Sequence, residues 1–362
     1  MKKVISFPHL GNYYIPISNF LTKVTKLKVI PAPPITKKTI EIGAKNSPDS
    51  VCVPFKYNLG NFIESLENGA NILFTAGGGC RYRYYAEVSE TILRDLGYDF
   101  EFYKLSSRDR LKIREIYKLF KNINKDLNIF YFLHSALFTF IFIWDMDKID
   151  KIIRKNIGFE EKENSFILLQ KKMLKNFKST NSIIKLTYKY FRYKKKFKKL
   201  KVNKPKHPLK VGIIGELYTS MEPFSSYFLE KELASMNIEV KRYTNLSYLL
   251  WQKIFMRRHM LRVSKKYCKY SLGADGLDNI YRSIILAKKS YDGIIHIKPF
   301  GCTPEVSAIP IIQNVCRDNK MPIIFFSFDQ ETSNEGIKTR LEAFYDLLKV
   351  RRDNNDQRIS RN

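Results

Sequence analysis

Three cysteines have the residue type and surroundings for chemistry. Cys52 lies in SVCVPFKYNLG, just ahead of a helical pattern. Cys80 closes the loop AGGGC and Cys302 the loop PFGC, each directly after a glycine. A thiolate is a strong, soft metal ligand, and a helix N-terminus favours it through the macrodipole and unpaired amides. Gly79 and Gly301 would let the backbone approach a bulky inorganic core. The sequence has no C-x-x-C pair, which argues against a zinc ribbon or a compact ferredoxin-type motif. On spacing alone, three separated cysteines fit ordinary buried thiols as well. Cys268, in a Lys- and Tyr-rich segment, reads as structural or free, and Cys316, in IIQNVCRDN, as a packing residue. Five scattered cysteines do not suggest a disulfide framework and fit a reducing, cytoplasmic setting.

Carboxylates supply the second kind of chemistry. Glu216 and Glu222, in GELYTSMEP, follow an expected strand end and are candidates for moving protons. Helix capping or loop fixing is the alternative role for both. Asp329 and Glu331 also follow a strand, and Asp329 equally suits a helix cap. Thr339, Arg340 and Glu342 read as anchors of the last helix. Gly11 and Asn12 suit either a ligand contact or a turn. The GGGC loop lacks the Gly-Lys-Ser/Thr ending of a phosphate-binding P-loop.

These residues need a scaffold that places them together. Short apolar runs at 3–7, 27–30, 71–75 and 99–105 read as strands. Amphipathic spacing at 14–26, 54–68 and 84–96 predicts helices between them. The pattern returns after residue 210, with strands at 210–214, 239–243, 292–298 and 322–328. Helices are expected there at 227–236, 304–319 and 337–349, with two more helical segments before residue 290. Such alternation predicts an α/β protein with two Rossmann-like parallel-sheet domains. The expected domains are 1–106, a helical insertion and basic linker at 107–209, 210–350, and a polar, frayed tail at 351–362. Cys80 and Cys302 would then lie beyond strand carboxyl ends, where open α/β sheets bind ligands.

Charge and hydropathy narrow the partners. Lys and Arg exceed Asp and Glu by 64 to 35, giving +29. Lys, Ile, Asn, Tyr and Phe are abundant together, so a compositional bias accounts for much of this charge. No zinc-finger spacing or RNA-binding aromatic signature supports a nucleic-acid partner. Residues 185–210 hold twelve Lys or Arg and no acid, with interleaved aromatics. They read as a solvated helix and linker, with an acidic partner protein, single-stranded nucleic acid or a membrane surface as the alternatives. The run LNIFYFLHSALFTFIFIW is at the short end for a bilayer crossing and reads as a buried helix between domains rather than a span. The N-terminal MKKVISFPHLGNYY does not read as a secretory signal.

Six stretches occur in order: FPHLGNYYIP, CVPFKYNLGNFIESLENGANILF, GGGCRYRYYAEV, GIIGELYTSMEPF, PFGCTPEVSA and FDQETSNEGIKTRLEAF. Together they resemble the 2-hydroxyacyl-CoA dehydratase subunit family, in its activase-related branch. The resemblance covers roughly residues 4–105 and 210–348. It implies two Rossmann-like domains and an oxygen-sensitive [4Fe–4S] cluster on Cys52, Cys80 and Cys302, with one iron open to substrate or water. Double-cubane relatives need about six cysteines, so five imply a single cubane. The loop AGGGCRYRYY is shorter than the family's usual Gly-Pro-Cys-Arg form. A separate ATP-dependent activase or reductase is the implied electron donor and a small acyl-CoA thioester the implied substrate, in a homo- or heterodimer. A lyase, an ATP-coupled reductase component and a non-catalytic scaffold subunit are all compatible with it.

Overall fold

The computed structural model describes residues 2–105 and 113–360. The expected boundary at 106/107 lies outside the described residues. Two compact units emerge, one of Met1–Asp145 and Leu174–Tyr188, the other of Met146–Met173 and Lys189–Asn362. The helical region expected as an insertion is thus shared between them.

The first unit runs β1 (Val4–Ser6), α1 (Tyr14–Thr25), β2 (Lys28–Val29), α2 (Lys37–Lys45), α3 (Val53–Glu67), β3 (Ile72–Thr75), a 3-10 turn (Arg81–Tyr84), α4 (Tyr85–Asp95), β4 (Glu101–Lys104) and α5 (Ile113–Ile123). Its sheet is all parallel, in the order β2-β1-β3-β4. β1 is wholly buried and β3 nearly so, as expected of strands covered on both faces. Ile5, Phe74 and Phe120 centre the core on one side, and Phe55, Phe62 and Leu73 on the other.

α2 was not expected from the sequence. Thr36 caps it, exchanging hydrogen bonds with Thr39. It then crosses α3 at backbone distance. A Cβ on Gly43 would lie 1.8 Å from the Lys56 carbonyl oxygen, and one on Gly60 2.0 Å from that of Thr39. This crossing fixes α3, whose N-terminus carries Cys52.

Three long helices follow: α6 (Ile129–Asn156), α7 (Ser165–Lys178) and α8 (Ile183–Lys199). α6 holds the apolar run and is long and apolar enough to cross a membrane, yet only 39% of its most apolar stretch is buried. The expectation of a buried helix is therefore corrected. Phe132, Phe138, Phe142 and Met146 are enclosed, while Phe130, Leu133 and Leu137 are exposed.

The second unit continues with β5 (Lys210–Gly215), α9 (Leu217–Met221), α10 (Leu229–Ser235), β6 (Glu239–Arg242), a π-helical turn (Tyr248–Gln252), α11 (Lys253–Ser264), α12 (Gly276–Lys288), β7 (Gly293–Pro299), α13 (Thr303–Asp318), β8 (Ile323–Phe328) and α14 (Asn334–Ser360). Its parallel sheet has the order β6-β5-β7-β8. Val211, Ile295 and Phe326 pack against α10 and α14, and Ile214 and Ile294 against α12 and α13. α10 starts later than expected because Tyr227 and Phe228 take left-handed backbone angles. The frayed tail is also corrected, since α14 runs to Ser360. Arg352 anchors it, pairing with Asp292 at 2.6 Å and donating to the carbonyls of His207 and Pro208.

Both sheets share one topology. Each first strand lies between the second and the third, so the order in which strands are added to the sheet reverses there. The clefts at β1/β3 and β5/β7 are topological switch points, the usual ligand positions of such sheets.

Candidate functional site at the strand ends

In the first unit the switch point is bounded by the residues after β1 and β3. His9 follows β1, donates its N–H to Asn61 Oδ1 at 2.9 Å and stacks on Tyr14. Gly79 forms a bend after β3 and leads to Cys80, at the N-cap of the 3-10 turn. α3 runs back towards the start of β3, so its N-terminus returns to the strand carboxyl ends. Cys52 is the N-cap there, in extended conformation, with Pro54 in the first turn. Tyr85 opens α4 and meets it. The Cys52 N–H donates to the Tyr85 hydroxyl at 3.3 Å, and Cys52 Sγ lies 3.3 Å from the same oxygen. Burial, then the Cys52 charge, pushes the Tyr85 phenol well above its usual range. Tyr82 adds a hydrogen bond from Asn58 on α3. Cys52 and Cys80 are both half-buried.

In the second unit the switch point joins the ends of β5 and β7. Gly215 has φ +147, and a Cβ there would lie 1.8 Å from the Ile297 carbonyl oxygen. Only glycine fits this approach. Gly301 is left-handed at φ +70 and turns the chain into Cys302, the half-buried N-cap of α13. The Cys302 N–H donates to the Pro299 carbonyl at 3.2 Å. The three expected ligands thus divide between the units, and each caps a helical segment. Cys268 and Cys316 differ. Both are buried, the Cys268 thiol meets the Tyr270 carbonyl at 2.9 Å, and burial pushes Cys316 up to about 12.

Glu216 is the N-cap of α9. Its carboxylate accepts from the Tyr218 and Thr219 N–H groups at 3.0 and 2.9 Å and from the Thr219 hydroxyl at 2.8 Å. Burial pushes its pKa up to about 7, with help from Asp275, against the opposing pull of those donors. Glu222 is buried and accepts from the Phe224 N–H at 3.3 Å. Both carboxylates therefore hold local backbone, the alternative the sequence left open. Asp329 caps its own turn, accepting from the Glu331 N–H and the Thr332 hydroxyl.

A buried polar network was missed at the sequence level. His296 Nε2 lies 2.7 Å from Glu305 Oε2, and Asn279 Nδ2 donates to both Glu305 oxygens at 2.9 Å. Asn279 Oδ1 accepts the Gly215 N–H at 3.1 Å. All three side chains are fully enclosed. They tie α13, which starts at Cys302, to β7, α12 and the end of β5. Lys298 is also buried, and burial lowers its pKa against the pull of Cys302 and Glu305. A histidine inside GIIHIKP and a glutamate three residues after Cys302 were the available signals.

Among the described residues no three His, Cys, Asp or Glu side chains form a ready metal-binding group. Cys52 and Cys302 are half-buried N-caps of α3 and α13, where free amides and the helix dipole favour a thiolate, while Cys80 caps only the short 3-10 turn. No protein-family model matches the chain, and no curated protein matches it.

Proposed function

We propose that the chain is an iron–sulfur redox protein resembling a 2-hydroxyacyl-CoA dehydratase subunit, holding one [4Fe–4S] cluster on Cys52, Cys80 and Cys302. The observation that carries this reading is the sorting of the cysteines. The three at motif positions are half-buried N-caps, two of them at switch points, while the other two are buried in packing sites. A bound cluster would supply one-electron chemistry at low potential and a Lewis-acidic open iron. Electrons would come from a separate ATP-hydrolysing activase, and a small acyl-CoA thioester would be reduced or dehydrated. The protein's own residues set the environment. Tyr85 offers a hydroxyl to Cys52, and Lys298 lies near Cys302.

The experiment is anaerobic purification. A brown protein with about four irons per chain, lost in Cys302→Ala, is the expected result. Colourless protein without iron after anaerobic reconstitution overturns it. A second reading is a non-catalytic scaffold or partner subunit, favoured by the engagement of Glu216 and Glu222 in local backbone contacts. Cluster binding without activase-dependent acyl-CoA turnover would select it.

A further inference from the structure

α8 has two apolar faces, and only one is used by the fold. Leu186, Tyr190, Tyr193 and Phe197 are buried and fall within about 60° of one another at 3.6 residues per turn. Ile184, Tyr188 and Phe191 occupy the opposite face and are 82%, 67% and 59% exposed. A solvated helix face should be polar there. The same outward face continues into Arg192, Lys195, Lys198 and Lys199, all exposed. One strip of surface therefore changes from apolar to cationic along the helix.

We infer that this outward face of α8 is a docking surface for an anionic membrane. Three features select this occupant. The apolar half mixes an aliphatic side chain with aromatics, which suits insertion at a headgroup–acyl boundary better than base stacking alone. The cationic half adjoins it with no acidic residue anywhere in 185–210, the pattern that anionic lipid surfaces attract. A chain with net charge +29 opposes its own copy at such a face, so like-charge repulsion disfavours self-association there. The helix would lie along the interface with its buried face kept against the protein. This inference is independent of the cluster proposal.

The test is sedimentation of the full-length protein with vesicles. Vesicles of 30% phosphatidylglycerol in phosphatidylcholine should bind at least about tenfold more tightly than pure phosphatidylcholine, and 0.5 M NaCl should abolish most of the difference. Ile184→Ser/Tyr188→Ser/Phe191→Ser and, separately, Arg192→Gln/Lys195→Gln/Lys198→Gln/Lys199→Gln should each lower binding about tenfold or more. Both variants alter exposed positions only, and unchanged circular dichroism and melting confirm their folds. Equal binding to neutral and anionic vesicles overturns the inference, as does no vesicle binding. Binding by both variants at the wild-type level also overturns it. So does tight binding of a single-stranded RNA, an acidic protein or a second copy through the same residues while vesicles are ignored.

Discussion

The Cys52 sulfur and the Tyr85 hydroxyl stand 3.3 Å apart, and the same hydroxyl accepts the Cys52 backbone N–H. One phenol thus fixes both the thiol and the cap geometry of α3 from a helix 33 residues along the chain. Tyr85→Phe keeps the ring against Phe55 and removes only the oxygen. The loss should be about 0.5–1.5 kcal/mol in urea unfolding. The phenol also gives an alkaline signature. Its folded pKa is raised, so its stabilisation is complete below about pH 10, the unfolded value, and is lost as pH rises above it. In Tyr85→Phe that part of the alkaline decline should disappear.

Glu216 provides a titration near neutrality. Its folded pKa of about 7 lies above the ordinary carboxylate value. The unfolded chain loses this proton first as pH rises. The stabilising contribution is therefore complete below about pH 4.5 and lost by about pH 7. At about 1.4 kcal/mol per pKa unit the drop should be about 3 kcal/mol. Glu216→Gln should show a smaller fall in unfolding free energy between pH 4.5 and 8 than the parent. An identical fall in both proteins would place the titration elsewhere.

Much of this architecture was legible locally, and the failures share one cause. The run GIIHIKP identified β7, and Pro54 after Cys52 marked the start of α3, because both signals are short-range. α2 was not legible, since its strongest feature is Gly43 against the Lys56 carbonyl, a contact between helices. Tyr85 could not be linked to Cys52, nor His296 to Glu305, without the strand–turn–helix path that brings them together. Helix capping by Glu216 was open in the sequence because a carboxylate after a strand suits both proton transfer and a cap. The extension of α14 depends on Arg352 reaching Asp292, 60 residues away.

The enclosed triad of His296, Glu305 and Asn279 should be costly to disturb. Glu305→Ala removes the partner of two buried polar side chains at once. It should destabilise the second unit by about 3–5 kcal/mol, whereas Asn279→Ala should cost about 1–3 kcal/mol. The two side chains touch, so the double variant should lose less than the sum. Urea unfolding of the three variants measures this. Strict additivity would mean that the contacts act independently.

The crossing of α2 and α3 offers a steric test that leaves every polar group in place. Gly43→Ala would put a methyl 1.8 Å from the backbone oxygen of Lys56, and backbone on both helices leaves no flexible side chain to yield. The helices must separate, and α3 would carry Cys52 with it. Gly69 is the control. It has φ +86 with nothing within 4 Å of an added Cβ, so Gly69→Ala meets backbone strain but no clash. Gly69→Ala should cost about 1–2 kcal/mol, and Gly43→Ala more, about 3 kcal/mol or above, by overpacking. Gly43→Ala should also speed alkylation of Cys52 in the native protein, read by mass spectrometry of the labelled peptide, because the cap loses its support. Equal melting temperatures for the two variants would show that α2 is not held against α3 at this point.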